Sequence, residues 1–192
     1  HLGDDAKADF AQYLKLWPQR DTGGCLHPFQ AAMTINDLRT LRARVDNWSQ
    51  TALQVARWLE SQGTIMAVNY LGLPTHPLHK VASKYLWLVD AEHDERYGKP
   101  VNRYGHMMSF RVRGGAHKAR EAFDRLQMVW RATDLGRVKS MATIPAISTH
   151  QQQGEEGRKL AAIPPDLIRL SVGAEHPDDI IKDLEQALSG SR

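Results

Sequence analysis

Ile168-Arg169-Leu170-Ser171-Val172-Gly173 reads as a strand, because apolar and β-branched residues fill a short run that ends on glycine. Leu167 extends it to Leu167–Val172. Inside stands one arginine, a planar cation whose several donors suit a carboxylate. Two readings fit. In the commoner one the arginine sits on an edge strand, paired with a neighbouring acid; in the other it meets a carboxylate-bearing small molecule. A helix follows at about Pro177 to Leu188, opening on Asp178 and Asp179 as favours a helix N-terminus and burying Ile180, Ile181, Leu184 and Leu188.

Outward from this pair, three more strands are expected, at Thr64–Tyr70, Met107–Val112 and Ser140–Ile144, each short and rich in apolar or β-branched residues. Phe29 to about Gln62 holds neither proline nor glycine, and Val45, Trp48, Ala52, Val55, Ala56 and Leu59 recur at spacings of three and four. That predicts one long helix or two in series, ended by Gly63. A short helix is expected around His79–Tyr85, and the clearest amphipathic helix at Ala116–Trp130, with Ala119, Ala122, Phe123, Leu126, Val129 and Trp130 on its apolar side. Residues 4 to 17 form a shorter amphipathic segment that Pro18 should stop. Residues 90 to 105, with Asp90, Glu92, Asp94, Glu95 and Arg96 beside glycines and a proline, suit an exposed loop. This order builds an α+β fold: a small, mainly antiparallel sheet with helices on one side.

Twenty-five basic against 22 acidic residues leave a formal charge of only +3, interspersed rather than blocked, which argues against a nucleic-acid partner. No apolar run is long enough to cross a bilayer, and the N-terminus lacks a basic segment followed by an apolar one. A soluble, cytoplasmic protein is expected, with no membrane partner. The single cysteine, Cys25, excludes an internal disulfide and any cysteine-based metal cluster. It reads as core or inert, since adjacency to His27 does not establish nucleophile–base geometry.

His76 and His79 are three apart with Pro77 between them, and no third ligand follows at metal spacing, so no metal site is expected. His76 reads as a helix-start residue and His150 as a surface or interdomain hydrogen-bonding residue. Gly23-Gly24 and Gly114-Gly115 lack the spacing of a phosphate-cradling loop, which disfavours a bare nucleotide-binding domain.

A series of separated motifs then falls into one order: Pro28-Phe29-Gln30-Ala31; Leu38-Arg39-Thr40-Leu41 with Asn47; Tyr70-Leu71-Gly72-Leu73-Pro74-Thr75-His76-Pro77; Tyr104-Gly105-His106-Met107-Met108-Ser109-Phe110; Leu135-Gly136; Pro145 with Thr149-His150; and Ile168–Gly173 with Asp178–Leu184. Over about residues 21 to 188 the chain resembles the C-terminal region of the trans-sulfuration (Cys/Met metabolism) enzymes that use pyridoxal phosphate. The resemblance implies the C-terminal domain of a fold type I transferase, with residues 1–24 as a joining segment and 25–192 as the substrate-carboxylate-binding domain. It implies that Arg169 clamps the α-carboxylate of an amino-acid substrate and that Asp134 lies beside it. Relatives usually carry serine at Asp134, glycine at Arg137, glutamate at Lys139 and glycine at His106. An aspartate beside a bound carboxylate is unfavourable unless a cation offsets it.

The cofactor half of such an enzyme is not found here. The available lysines, such as Lys7, Lys15, Lys80 and Lys84, lack the family's cofactor context, so no catalytic residue, no Schiff-base lysine and no cofactor-binding residue is expected in this chain. Pyridoxal 5′-phosphate is expected on an N-terminal domain supplied in cis or in trans. A chain opening on His1 rather than Met fits a processed, tagged or partial sequence. The implied activity is γ-replacement or β/γ-elimination on sulfur amino acids or O-acylated homoserine, most like cystathionine γ-synthase, in a homo-oligomer of the full protein. The alternatives are a non-catalytic or split-partner relative that keeps this domain for binding or scaffolding, and a general interaction module.

Overall fold

The computed structural model describes residues 10–88 and 101–190. The chain divides into two compact units, His1–Arg42 and Ala43–Arg192. In the first, α1 (Phe10–Leu14) runs into a π turn at Lys15–Gln19 and then α2 (Arg20–Thr22). Pro18 lies inside this path and does not end it. A π turn moves the hydrogen-bond ladder along by one residue, so a proline without an N–H is accommodated. Helical geometry stops at Gly23, whose φ of 68° is left-handed. Residues 4 to 9 of the expected amphipathic segment lie outside the described residues. Phe10, Trp17, Phe29, Met33 and Leu38 are exposed.

The long helix, α3, spans Pro28–Ser61, one residue earlier at each end than expected, with proline at its first position. In the second unit its apolar face (Trp48, Ala52, Val55, Ala56, Leu59) is buried. This unit is a five-stranded sheet in the order β1-β2-β5-β4-β3: β1 Ile65–Asn69, β2 Met107–Val112, β3 Trp130–Arg131, β4 Met141–Thr143 and β5 Leu167–Ser171. Pairing is antiparallel throughout, except that β3 runs parallel to β4. The α+β class and all four expected strands are present.

Period-two alternation decides the two faces. Met108, Phe110 and Val112 of β2 and Ile168 and Leu170 of β5 point into a core shared with α3, α5 (Gly115–Asp124) and α7 (Pro177–Ser189). Fully burying a side chain such as Leu170 or Ile180 contributes about 1.5–3 kcal/mol. The opposite face carries Asn69, Ser109, Arg111, Leu167 and Arg169, all partly or largely open.

Two expectations need correction. The helix expected to reach Trp130 ends at Asp124. The buried carboxylate of Asp183, on α7, accepts the N–H groups of Gln127, Met128 and Val129 at 2.8–2.9 Å, so these amides leave the helical ladder and the chain turns into β3. β3 was not anticipated: two exposed residues show no periodicity. His76 does not begin a helix, because α4 is His79–Tyr85. It sits in the preceding turn, where its Nδ1 accepts the Leu78 N–H at 3.1 Å.

The acidic stretch Asp90 to Arg96 lies outside the described residues. The flanking chain is pinned: Trp87 bridges Asn102, Leu88 N–H donates to Val101 O, and Arg103 N–H donates to Leu86 O. Also not foreseen were 3₁₀ turns at Pro145–Ile147 and Gln151–Gln153 and α6 at Gly154–Leu160.

Candidate functional site

Arg169 lies on β5, the middle strand, which removes the edge-strand reading. No carboxylate among the described residues forms an ion pair with it. Instead its Nη2 donates to the carbonyl of Thr133 at 2.5 Å and, more weakly, to that of Asp134 at 3.4 Å. The Nε and Nη1 edge meets no acceptor among the described residues. One flank of the fork is anchored by backbone, and the other is left for a planar anion.

Register places Arg169 in a polar row. Asn69 of β1 pairs with Ser109 of β2, Ser109 with Arg169, and Arg169 with Thr143 of β4. Directly paired residues share a face, about 5 Å apart from strand to strand. A hollow of about 260 Å³, lined by Asn69, Tyr104, Met107, Ser109 and Arg169 among others, opens beside the guanidinium. Asn69 and Ser109 also line a larger groove of about 780 Å³ that runs on to Arg111, Arg158, Lys159 and Ile163. Arg111 is held against both oxygens of the buried Asp166, at 3.0 and 3.1 Å.

The loop 133–139 between β3 and β4 supplies the anchoring carbonyls and is tied to the end of β5. Gly136 N–H donates to Ser171 Oγ at 3.1 Å, and Ala174 N–H to Val138 O at 2.7 Å. Glu175 closes the arrangement: its carboxylate accepts from Ser140 N–H and Oγ–H at 2.8 and 2.7 Å and pairs with Lys139 at 3.3 Å. Burial pushes the Glu175 carboxyl up, but the hydrogen bonds from Ser140 and Lys139 outweigh it and hold the group below the usual carboxylate range.

Asp134, the second expected site residue, meets Arg169 through its backbone oxygen. Its own carboxylate, half exposed, pairs with Arg137 at 2.8 Å. The offsetting cation is therefore local, three residues on in the same loop. His106 packs edge-on to Trp48 with ring centres 5.6 Å apart, and its Nε2 is buried without a partner among the described residues. That nitrogen lies 3.9 Å from where a Cβ on Gly136 would sit, so His106 underlies the same loop. Burial pushes its pKa below the usual histidine value.

Other residues take quieter roles. Cys25 is exposed rather than in a core, and His27 accepts the Phe29 N–H through Nδ1. His79 Nδ1 faces the Leu71 carbonyl at 2.8 Å, and His150 Nδ1 faces Thr149 Oγ1 at 2.8 Å. No cluster of three His, Cys, Asp or Glu side chains suited to a metal occurs among the described residues, and no helix among them is long and apolar enough to cross a membrane. Among the described lysines, Lys15, Lys80, Lys84, Lys159 and Lys182 are exposed, with Lys159 lining the larger groove, while Lys118 and Lys139 pair with Glu121 and Glu175. The row partners Asn69, Ser109 and Thr143 were missed by sequence reasoning; a period-two reading of strand 107–112 was the only signal that could have marked Ser109.

Residues 4–189 match the family described as Cys/Met metabolism PLP-dependent enzyme. The chain is 36% identical over 88% of its length to homocysteine synthase of Schizosaccharomyces pombe, covering 36% of that protein. It is 34% identical over 88% of its length to O-acetyl-L-homoserine sulfhydrylase 1 of Thermus thermophilus, covering 37%. The fold superposes with a TM-score of 0.81 on a structure described as an O-acetylhomoserine (thiol)-lyase from Campylobacter jejuni, solved with an N′-pyridoxyl-lysine-5′-monophosphate. There the identity is 34%, over 94% of this chain and 39% of that one. This chain thus spans less than half the length of these relatives, and by the extent and order of the match it belongs to the Cys/Met metabolism family of pyridoxal phosphate-dependent enzymes.

Proposed function

We propose that this chain is the substrate-carboxylate side of a trans-sulfuration enzyme, with Arg169 holding the α-carboxylate of an amino acid. The observation that carries this reading is the half-anchored guanidinium on the central strand, its Nε and Nη1 edge meeting no acceptor among the described residues beside an amino-acid-sized hollow. The carbonyls of Thr133 and Asp134 fix the plane of the fork before ligand arrives, which lowers the ordering cost of a bidentate contact. The Asp134–Arg137 pair keeps the aspartate's charge from opposing a bound carboxylate. Pyridoxal phosphate supplies the electron sink for such chemistry when bound. Because this chain spans only 36–39% of the relatives' length, we place the cofactor on a domain in cis or in trans, in a homo-oligomeric assembly. Sulfhydrylases among the relatives support γ-replacement on an O-acylated homoserine, and lyases of similar identity support elimination.

The test is NMR titration of this chain with O-acetyl-L-homoserine while following the Arg169 side-chain Nε–H. A saturable shift of that signal is expected, together with a shift of the backbone amide of its strand partner Ser109 that vanishes in Arg169→Ala. An unmoved Arg169 resonance at saturating ligand would overturn the clamp.

A second reading, a binding module without turnover, draws support from the ion pairs Asp134–Arg137 and Lys139–Glu175, which commit the loop's charged side chains to one another. It shares the clamp and differs only in whether a cofactor domain is ever supplied.

A further inference from the structure

Three polar groups in the row across the open sheet face have no partner among the described residues: the Nε and Nη1 edge of Arg169, the hydroxyl of Ser109 and the amide nitrogen of Asn69. The Asn69 amide is oriented by its neighbour. His76 Nδ1 accepts the Leu78 N–H at 3.1 Å, so in the neutral ring Nε2 carries the hydrogen. Nε2 lies 2.7 Å from the Asn69 side chain, and a donor there requires the amide oxygen as its partner. Oδ1 is thereby occupied, and Nδ2 with its two hydrogens is the end of Asn69 offered to the groove. Asn69 lines both the hollow beside Arg169 and the larger groove. It stands two strand spacings from Arg169, about 10 Å between backbones.

Resting on the carboxylate clamp proposed above, we infer that Asn69, with its amide turned by His76, is a specificity-determining residue that donates to an acceptor oxygen on the γ-substituent of the amino acid whose carboxylate Arg169 holds. Ser109 lies between the two ends. His76 is a positioning residue: it touches no ligand and acts by occupying Oδ1. The row therefore favours a γ-oxygenated amino acid over its all-carbon isostere, since an apolar group at that distance leaves the Asn69 donor without a partner.

The experiment is an NMR titration of this chain with two isosteric probes, O-methyl-L-homoserine and L-norleucine, following the Arg169 Nε–H and Asn69 Nδ2–H₂ signals. We expect both probes to move Arg169, only the ether to move Asn69, and the ether to bind roughly fivefold tighter, the factor one ordinary hydrogen bond supplies. In Asn69→Leu, which keeps the shape without the donor, that preference should fall to about onefold while Arg169 still responds to both. His76→Ala should erode the preference without abolishing binding. Arg169 responding to both probes with equal affinity and a silent Asn69 would overturn the Asn69 assignment alone. No response of Arg169 to either probe would overturn the clamp beneath it.

Discussion

Asp183→Ala tests how the loop carrying the Arg169 anchors is held. The wild-type carboxylate is 6% exposed and accepts four hydrogen bonds, three of them from the consecutive N–H groups of residues 127–129 and one from Gln186 Nε2 at 2.9 Å. In the alanine variant the Val129 N–H loses its partner in a buried setting, and the other two amides must find water. Each unsatisfied buried donor costs about 1–3 kcal/mol, and hydrogen bonds to a charged acceptor are at the strong end. Alanine recovers up to about 0.7 kcal/mol of helix propensity within α7. The net expectation is a loss of about 3–5 kcal/mol. Urea denaturation followed by far-UV circular dichroism measures it, with an unchanged m-value showing that the unfolded state is not altered. Because residues 125–129 lead into β3 and then to Thr133, the Arg169 Nε–H resonance should also broaden or shift. A loss below 1 kcal/mol with an unmoved Arg169 signal would refute the claim that Asp183 organises this connection.

Gly173→Ala would place a Cβ 2.2 Å from the Val138 carbonyl oxygen and 2.6 Å from the Ser140 nitrogen, both backbone atoms. A loss of about 2–3 kcal/mol is expected, seen as a fall in Tm of about 5–10 °C by calorimetry; an unchanged Tm would show the strand end to be pliant. His106 has its folded-state pKa pushed down, so its neutral form is favoured in the fold. Its share of stability is complete above the unfolded value of about 6.5 and is lost as the pH falls from there toward the folded value. His106→Phe should flatten that acid-side slope in urea midpoints measured from pH 7 to 5, and an identical slope would place the titration elsewhere. Tyr70→Phe removes a buried hydroxyl that donates to the Gly105 carbonyl at 2.8 Å, which should cost about 1 kcal/mol in the same urea assay.

What the sequence disclosed tracked how local each determinant is. β2 and β5 were legible because alternation is carried within six residues, and α3 because its apolar spacing continues without glycine or proline. The end of α5 was not, since Asp183, which draws the amides of residues 127–129 away from the helix, lies more than 50 residues downstream. Arg169 was found as a residue, but its anchors are backbone carbonyls, and a carbonyl has no identity in a sequence. Asn69 was invisible as a site residue because its position depends on strand register and its orientation on a histidine in the next turn. The passage of Pro18 through a π turn was likewise beyond a rule that treats proline as a stop.

The pinned neck at Trp87 and Asn102 separates length from architecture. The Asn102 amide donates to the carbonyls of Ser83 at 2.6 Å and Leu86 at 3.0 Å, so the neck is fastened to the end of α4. Loop-closure cost grows only with the logarithm of length. Both ends of the connection are thus set by bonds among the described residues, and an insertion between residues 88 and 101 would meet a closure already made at Trp87 and Asn102.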